Sequence, residues 1–265
     1  MCRQELPPMV KTKLRFITFG RNRPYGGNNL RGCVNDSYDF TKRFLALDPC
    51  FDVRMYLNRR ASARNYLKAG GEAISLLDPG ATVLILMDSC FSGSATRLLT
   101  NPAHPTKNRF FDPGLPVPEK VRSRVFSSKA DIHWMVMSAC MEQESAADAY
   151  IDGRYVGAFS YHAVKSLKKG MTYLEWYQTV RSSLPGKIFS QTPTFEGPFE
   201  LVNRRVGEGQ TLIIHNSSHG SWAIDQDGDE EDGRDEGIYL DRLLIDDEIN
   251  IMLQKIPSVL KTNKF

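Results

Sequence analysis

The apolar run at residues 82–87 constrains the fold of this 265-residue chain more than any other segment. An uninterrupted apolar run of this length is typical of a strand that is buried on both faces of a parallel sheet. A polar, glycine-containing turn follows at 88–93, so it should lie at the carboxyl edge of the sheet, where α/β proteins bind ligands. Further strands are predicted at 14–19, 51–56, 134–137, 199–202 and 211–214.

Helical patterns alternate with these strands. The segment 35–47 carries apolar residues on one side, and the pattern at 62–77 ends at an Asp-Pro-Gly stop signal. Later helices are expected over 157–167, 173–184 and 246–255. Strands that alternate with helices predict an α/β fold with a mostly parallel central sheet covered on both faces.

A cysteine and a histidine follow two of the predicted strands. Cys90 lies in the turn after 82–87, and His219 lies in the polar segment after 211–214. Side chains at the ends of neighbouring parallel strands meet at one edge of the sheet. A cysteine beside a histidine can attack a carbonyl group as a thiolate, so the pair suits nucleophilic catalysis. Backbone amides after Cys90, together with that of Gly220, are candidate donors to an oxyanion.

Composition excludes several classes of function. The formal net charge is only +3, and no Lys/Arg run or basic aromatic stripe points to nucleic acid. No apolar stretch is long enough to cross a membrane, and the N-terminal residues lack a signal-peptide core. The five cysteines form no Cys-x-x-Cys pair, which argues against a disulfide framework or a zinc site and favours a reducing, cytoplasmic location.

The short motifs of the chain together resemble those of one protein family. They lie at 30–36, 88–93, 138–140 with 144–147, 157–160, 191–197 and 218–220. The chain resembles the caspase-like cysteine peptidases, most closely the metacaspases and their bacterial relatives. This resemblance spans about residues 14–256 and implies a caspase-like three-layer sandwich, formed by residues 1–265 as a single peptidase domain.

The order of the segments departs from that family. There the histidine segment precedes the cysteine strand, whereas here it comes last, within 211–256. By analogy the relocated strand should lie in the middle of the sheet. A natural rearrangement, a domain swap into a partner chain and an engineered order all remain open, so the chain is expected to be a monomer or a domain-swapped oligomer.

The resemblance implies a cysteine endopeptidase that cleaves after Arg or Lys through an acyl-enzyme. Cys90 would be the nucleophile and His219 the base, with His215 as the competing histidine. The acidic primary pocket of the family maps onto Asp36 and Asp88, lined by Cys33 and Ser217. Asp36 could instead cap the helix that begins near it.

Two charged loops are predicted between the elements. The long basic loop 97–130 offers several Lys and Arg side chains at which such an enzyme could cut itself. The acidic loop 225–236 has eight carboxylates, but Glu230 stands where an EF-hand loop needs glycine.

The family also suggests calcium as a cofactor, with Asp246 and Asp247 as ligands, and no organic cofactor is expected. The alternatives to a peptidase are a catalytically inactive caspase-like interaction module and a calcium-binding regulatory module. A caspase-like enzyme that cuts after Asp is disfavoured by Asp36 and Asp88. The expected partner is a peptide or protein with Arg or Lys at the cleavage site, with no nucleic acid and no membrane.

Overall fold

The computed structural model describes residues 7–23, 29–90, 103–115, 133–141, 144–184, 188–225 and 233–257. Its helices are α1 (Cys33–Leu47), α2 (Ala63–Ile74), α3 (Ala158–Ser166), α4 (Tyr173–Ser183), α5 (Phe199–Val202) and α6 (Asp246–Leu253). Its first six strands are β1 (Leu14–Gly20), β2 (Asp52–Leu57), β3 (Thr82–Asp88), β4 (Lys107–Asn108), β5 (Met135–Ser138) and β6 (Ala147–Ile151). The remaining strands are β7 (Arg154–Gly157), β8 (Thr194–Glu196), β9 (Thr211–Ser217), β10 (His219–Ile224), β11 (Arg234–Tyr239) and β12 (Leu243–Ile245).

Six strands form the central sheet in the order β2-β1-β9-β3-β5-β8. All neighbouring pairs are parallel except the last, in which β8 runs antiparallel at the edge. Every residue of β1, β3 and β9 is buried, as continuous apolar runs predict for strands covered on both faces. The predicted mostly parallel α/β sheet is therefore confirmed.

The strand that comes late in the chain lies in the middle of this sheet. β9 pairs in parallel with β1 on one side and with β3 on the other. Its last residue, Ser217, is in register with both Gly20 and Asp88. The central position expected for the relocated segment is the one observed, and β9 occupies it within the sheet of its own chain.

Helices cover both faces of the sheet and give three layers. Side chains of β1 alternate between the faces: Phe16 joins the apolar cluster under α1, α3 and α4, whereas Ile17 and Phe19 join the cluster under α2 and α6. Burial of each large apolar side chain contributes about 1.5–3 kcal/mol, so the two clusters hold the layers together. Among the residues described, no helix combines the length and the apolar character that a bilayer-spanning segment needs.

Helix boundaries agree with the local signals in the sequence. α2 begins after Ser62, whose side chain accepts a hydrogen bond from the backbone N–H of Asn65. α4 begins with a capping box between Thr172 and Glu175. Gly80, in the predicted stop after α2, has a φ of 82°, a conformation that glycine adopts without strain.

Two expectations for the C-terminal part were wrong. The predicted strand at 199–202 is the one-turn helix α5, because Pro198 at its N-cap cannot donate to a ladder and only Leu201 of the four is buried. The segment between β9 and α6 contains a separate antiparallel sheet, β10-β11-β12, where only a loop was expected. Trp222, Ile238 and Leu244 are buried in this sheet. The sheet is evident only from the pairing of its strands in the structure.

The two charged loops are partly ordered into strands. Within the basic loop 97–130 the structure describes 103–115, and β4 pairs with β6 in a small antiparallel sheet of order β4-β6-β7. The end of the acidic loop 225–236 belongs to β11, which begins at Arg234. Residues 91–102, 116–132 and 226–232 lie outside the described residues, and with them most of both loops.

Candidate active site

The carboxyl ends of β3 and β9 bring the predicted nucleophile and base to one edge of the sheet. Asp88, which ends β3, is in register with Ser217, which ends β9. Cys90 lies two residues beyond the first and His219 two residues beyond the second. Both side chains are buried, at 0% and 1% exposure.

The Cys90 thiol lies against the backbone of Ala146. The Ala146 N–H donates to Sγ at 2.6 Å, and Sγ donates to the Ala146 carbonyl at 3.3 Å. These two contacts fix the position of the sulfur beside the backbone of Ala146. A hydrogen bond with Cys90 is also the largest cause that raises the pKa of the neighbouring Cys140 well above its usual value.

His215, the competing histidine, lies in the core beneath α1. Its Nδ1 is 2.8 Å from the Thr18 hydroxyl, and its ring centroid is 4.5 Å from that of Phe40. Desolvation, with a smaller contribution from the charge of Arg109, lowers the pKa of His215 to about 3. This ring is therefore a neutral side chain that packs between strand and helix.

Gly220 lies directly against the backbone of Cys90. A Cβ at Gly220 would overlap the Cys90 carbonyl, so no other residue fits without a shift of one chain. Its φ is not in the left-handed region, since the positive-φ glycines of the described chain lie elsewhere. Glycine is thus required here for the close approach of two backbones and not for a left-handed conformation.

The backbone N–H groups of Cys90 and Gly220 both donate to one oxygen, the carbonyl of Arg109. The nitrogen–oxygen distances are 3.1 and 2.8 Å. Two convergent amide donors polarise a carbonyl and stabilise negative charge that develops on its oxygen. The carbonyl that they hold belongs to the chain's own segment 103–115, which runs through the site.

The side chain of the same Arg109 is buried in a group of three carboxylates, here called the acid cage: Asp36, Asp88 and Asp148. Its guanidinium nitrogens lie 2.7, 3.2 and 3.1 Å from them in that order. Ser217, the fourth contact, accepts from Arg109 at 2.5 Å and donates to Asp36 at 2.8 Å.

Backbone donors and hydroxyls hold each carboxylate of the acid cage in place. Asp36 accepts from the N–H of Gly157, and Asp88 accepts from both the N–H and the hydroxyl of Ser160. Asp148 accepts from two backbone N–H groups that precede α1, those of Arg31 and Gly32. The cage is therefore built to carry negative charge in the interior.

Burial and mutual repulsion raise the pKa values of two carboxylates in the acid cage. Desolvation, opposed by Arg109 and reinforced by Asp88, raises the pKa of Asp36 to about 7. The pKa of Asp88 is raised as well, chiefly by burial, while the nearby carboxylates raise the pKa of Arg109 against its desolvation. The Arg109 guanidinium opposes the effect of burial and lowers the pKa of both Asp36 and Asp88.

Other predicted pocket residues lie around this cage. Cys33 is fully buried, and desolvation raises the pKa of its thiol. Asp36 lies within the first turn of α1, and the N-cap of that helix is Gly32. The Asp36 carboxylate contacts Gly157 and Arg109 and does not cap the helix. The alternative role of Asp36 as a helix cap is therefore not observed.

Asp148 and Arg109 are the members that sequence reasoning missed. Asp148 directly follows the motif at 144–147 and is a charged residue within an apolar strand. That position was the one available signal that it belongs to the site. Arg109 was one of several basic residues in 97–130, with nothing local to distinguish it. Only the fold brings it 2.7 Å from Asp36.

The segment around Arg109 crosses the site as an extended strand. Before Arg109 it pairs antiparallel with β6, and the Arg109 N–H donates to the Ala146 carbonyl at 3.0 Å. After Arg109 it runs parallel to β10, where the N–H of Phe111 donates to the Gly220 carbonyl at 2.9 Å. We refer to residues 107–111 as the site strand.

The suggested calcium ligands, Asp246 and Asp247, lie at the start of α6. Within the described ranges, no three His, Cys, Asp or Glu side chains are grouped to hold a metal ion. Asp246 and Asp247 form the first turn of α6, where carboxylates interact favourably with the helix dipole. Neither residue belongs to such a group among the described residues, and calcium dependence stays a prediction.

Comparison with known proteins gives similarity to solved structures only. No protein-family model matches the chain, and no curated protein matches it either. Protein GSU0716 of Geobacter sulfurreducens is similar at 15% identity and a TM-score of 0.47, over 72% of this chain and 97% of that one. Caspase-1 of Spodoptera frugiperda is similar at 10% identity and a TM-score of 0.47, over 83% of this chain and 97% of that one.

Proposed function

We propose that the protein is a cysteine endopeptidase that cleaves peptide bonds after Arg, and more weakly after Lys, with Cys90 as nucleophile and His219 as base. The observation that carries this proposal is the double engagement of Arg109. Its side chain fills the acid cage while its carbonyl oxygen accepts from the N–H groups of Cys90 and Gly220. A peptidase must hold a substrate residue in this way, by the side chain for selection and by the carbonyl for reaction.

The charge of the acid cage supports the choice of substrate. Three carboxylates around one guanidinium favour a cation, and an Asp side chain in the same place would meet only like charges. Arg presents a planar fork of donors that can reach all three carboxylates at once. Lys has a single ammonium group and a shorter reach, so it should bind less well.

The reaction follows from these positions. The Cys90 thiolate attacks the carbonyl carbon of the bound Arg, and the oxyanion accepts from the two N–H groups. The His219 imidazolium gives its proton to the leaving amine, the C–N bond breaks and a thioester remains. A water molecule then loses a proton to His219 and attacks the thioester, which releases the carboxylate and restores the thiolate.

The site strand supports self-processing as the first step. It lies where a substrate would lie, so it must be cut or displaced before another peptide can bind. A cut between Arg109 and Phe110 would leave Arg109 as a new C-terminus. Intact-mass measurement during incubation tests this step. We expect fragments that end at Arg109 in the native protein and none in Cys90→Ala, whereas stable full-length native protein would contradict self-processing.

The activity itself is tested with fluorogenic peptides that end in Arg, Lys or Asp, each with added Ca²⁺ or with a chelator. We expect hydrolysis in the order Arg, Lys, Asp, with the last near background, and loss of all turnover in Cys90→Ala. Comparison of Ca²⁺ with chelator tests the calcium prediction separately. No hydrolysis of any peptide by folded native protein would overturn the peptidase and favour the inactive interaction module.

A further inference from the structure

The residues that follow Arg109 contact the protein as closely as those that precede it. In protease notation Arg109 is P1, and Phe110 and Phe111 are P1′ and P2′, the first two residues beyond the bond to be cut. The backbone of Phe111 is held at both ends. Its N–H donates to the Gly220 carbonyl at 2.9 Å, and its carbonyl accepts from the Ser221 hydroxyl at 2.7 Å.

The ring of Phe111 lies on that of Tyr239. The two ring centroids are 4.2 Å apart and the ring planes differ by 13°, a stacked arrangement. Both side chains are half-buried. Stacked aromatic pairs are favourable beyond the area they bury, so the contact distinguishes an aromatic P2′ residue from a small one.

The fold places Tyr239 on the side of the departing amine. Tyr239 ends β11 and is the direct partner of His219 in the antiparallel pair of β10 and β11. The residue that protonates the leaving group and the residue that stacks on P2′ are therefore adjacent on neighbouring strands.

We propose that the site selects protein substrates with an aromatic residue at P2′, which Tyr239 recognises by stacking. This inference rests on the proposed function and extends it from the P1 residue to the far side of the cleaved bond. The substrate class is thus a chain with Arg at P1 and Phe, Tyr or Trp two residues later. A cut at Arg109 would leave Phe111 outside the acyl-enzyme, so P2′ selection acts before the thioester forms.

Two internally quenched peptides test the proposal. Both carry the sequence Lys-Asn-Arg-Phe-X-Asp, with Phe or Ala at X, the P2′ position. The measured quantity is the ratio of kcat/KM for the two peptides in one preparation. The active fraction and any competition from the site strand cancel in that ratio.

We expect the native ratio to favour Phe by about threefold to tenfold, the size of one aromatic pair. Tyr239→Phe should keep the ratio, and Tyr239→Ala should bring it close to one. Phe199→Ala is a control, because Phe199 is an aromatic residue with 77% exposure on α5. It should leave the ratio at the native value.

The outcomes separate the two proposals. Equal cleavage of both peptides by the native protein would overturn P2′ selection and leave the peptidase intact. A native preference that survives Tyr239→Ala would overturn the role of Tyr239. An Arg-coumarin substrate, which has no P2′ residue, is measured as well. If the native protein cleaves neither peptide and does not cleave this substrate, the peptidase is overturned and this inference with it.

Discussion

The backbone N–H of Cys90 donates a 3.1 Å hydrogen bond to the carbonyl oxygen of Arg109. The guanidinium of the same arginine lies 2.7 Å from Asp36, so the carbonyl held by this N–H and the charge held by the acid cage belong to one residue. In the proposed peptidase, recognition of the substrate's charge and alignment of its carbonyl would therefore be coupled. A substrate that failed to fill the acid cage would then also fail to place its carbonyl between the N–H groups of Cys90 and Gly220.

The third carboxylate of the cage should be needed for Arg recognition. Asp148→Asn removes one charge 3.1 Å from the guanidinium. Hydrogen bonds to charged groups contribute about 1.5–3 kcal/mol, so kcat/KM for Arg peptides should fall by about 10- to 100-fold. Asp78→Asn is the control, since Asp78 pairs with Lys11 at the surface and should leave kcat/KM unchanged. An unaltered kcat/KM in Asp148→Asn would remove Asp148 from the recognition site.

Arg109→Ala should release the site strand. The strand loses its ion pairs with the cage, and the carboxylates become available to an external Arg peptide. Progress curves of the native protein should show a lag while the strand is cut, and the variant should show none. Arg109→Lys should keep part of the lag. If Arg109→Ala starts no faster than the native protein, the site strand is not an obstacle to substrate.

The two neighbouring histidines should respond to substitution in opposite ways. His219→Ala should lower kcat by about 10²- to 10⁴-fold, the usual contribution of a positioned base. His215→Ala removes a buried neutral ring and should lower the free energy of unfolding by about 2–5 kcal/mol while kcat stays within a few-fold. Kinetics and denaturant unfolding of both variants check this, and the reverse pattern would assign the base to His215.

Gly220→Ala should damage the site for a steric reason. Its Cβ would overlap the Cys90 carbonyl, so β10 and the turn after β3 must separate. We expect loss of turnover and a lower unfolding midpoint. Gly71→Ala is the matched control, because a Cβ at that helical position meets nothing within 4 Å. It should be neutral or stabilising by up to about 1 kcal/mol, and equal effects of the two variants would contradict the steric argument.

The free energy of unfolding should depend on pH in the range where Asp36 titrates. Burial raises its pKa from 3.8 to about 7, so between these values the folded chain binds a proton that the unfolded chain has lost. The contribution of Asp36 to the free energy of unfolding is therefore full below pH 3.8 and is lost as the pH rises through about 7. In denaturant titrations across this range, Asp36→Asn should show a weaker fall of stability with pH. Parallel profiles for the two proteins would exclude the raised pKa.

Local pattern identified most of the elements that build the site. The runs at 82–87 and 211–214 are apolar enough to be buried whatever their partners, and β3 and β9 are observed there. Cys90 and His219 could be selected because each follows such a run. The one-turn helix α5 was missed because four residues carry too little periodicity to separate helix from strand.

The sequence by itself determined which strands are buried, which residues end them and that several carboxylates are available beside a cysteine. Only the tertiary structure decided that Asp148 completes the acid cage and that Arg109, rather than another basic residue of 97–130, fills it. The reason is physical. Arg109 meets Asp36 across 73 residues of chain, and such a contact depends on strand register and sheet order, which no local pattern encodes.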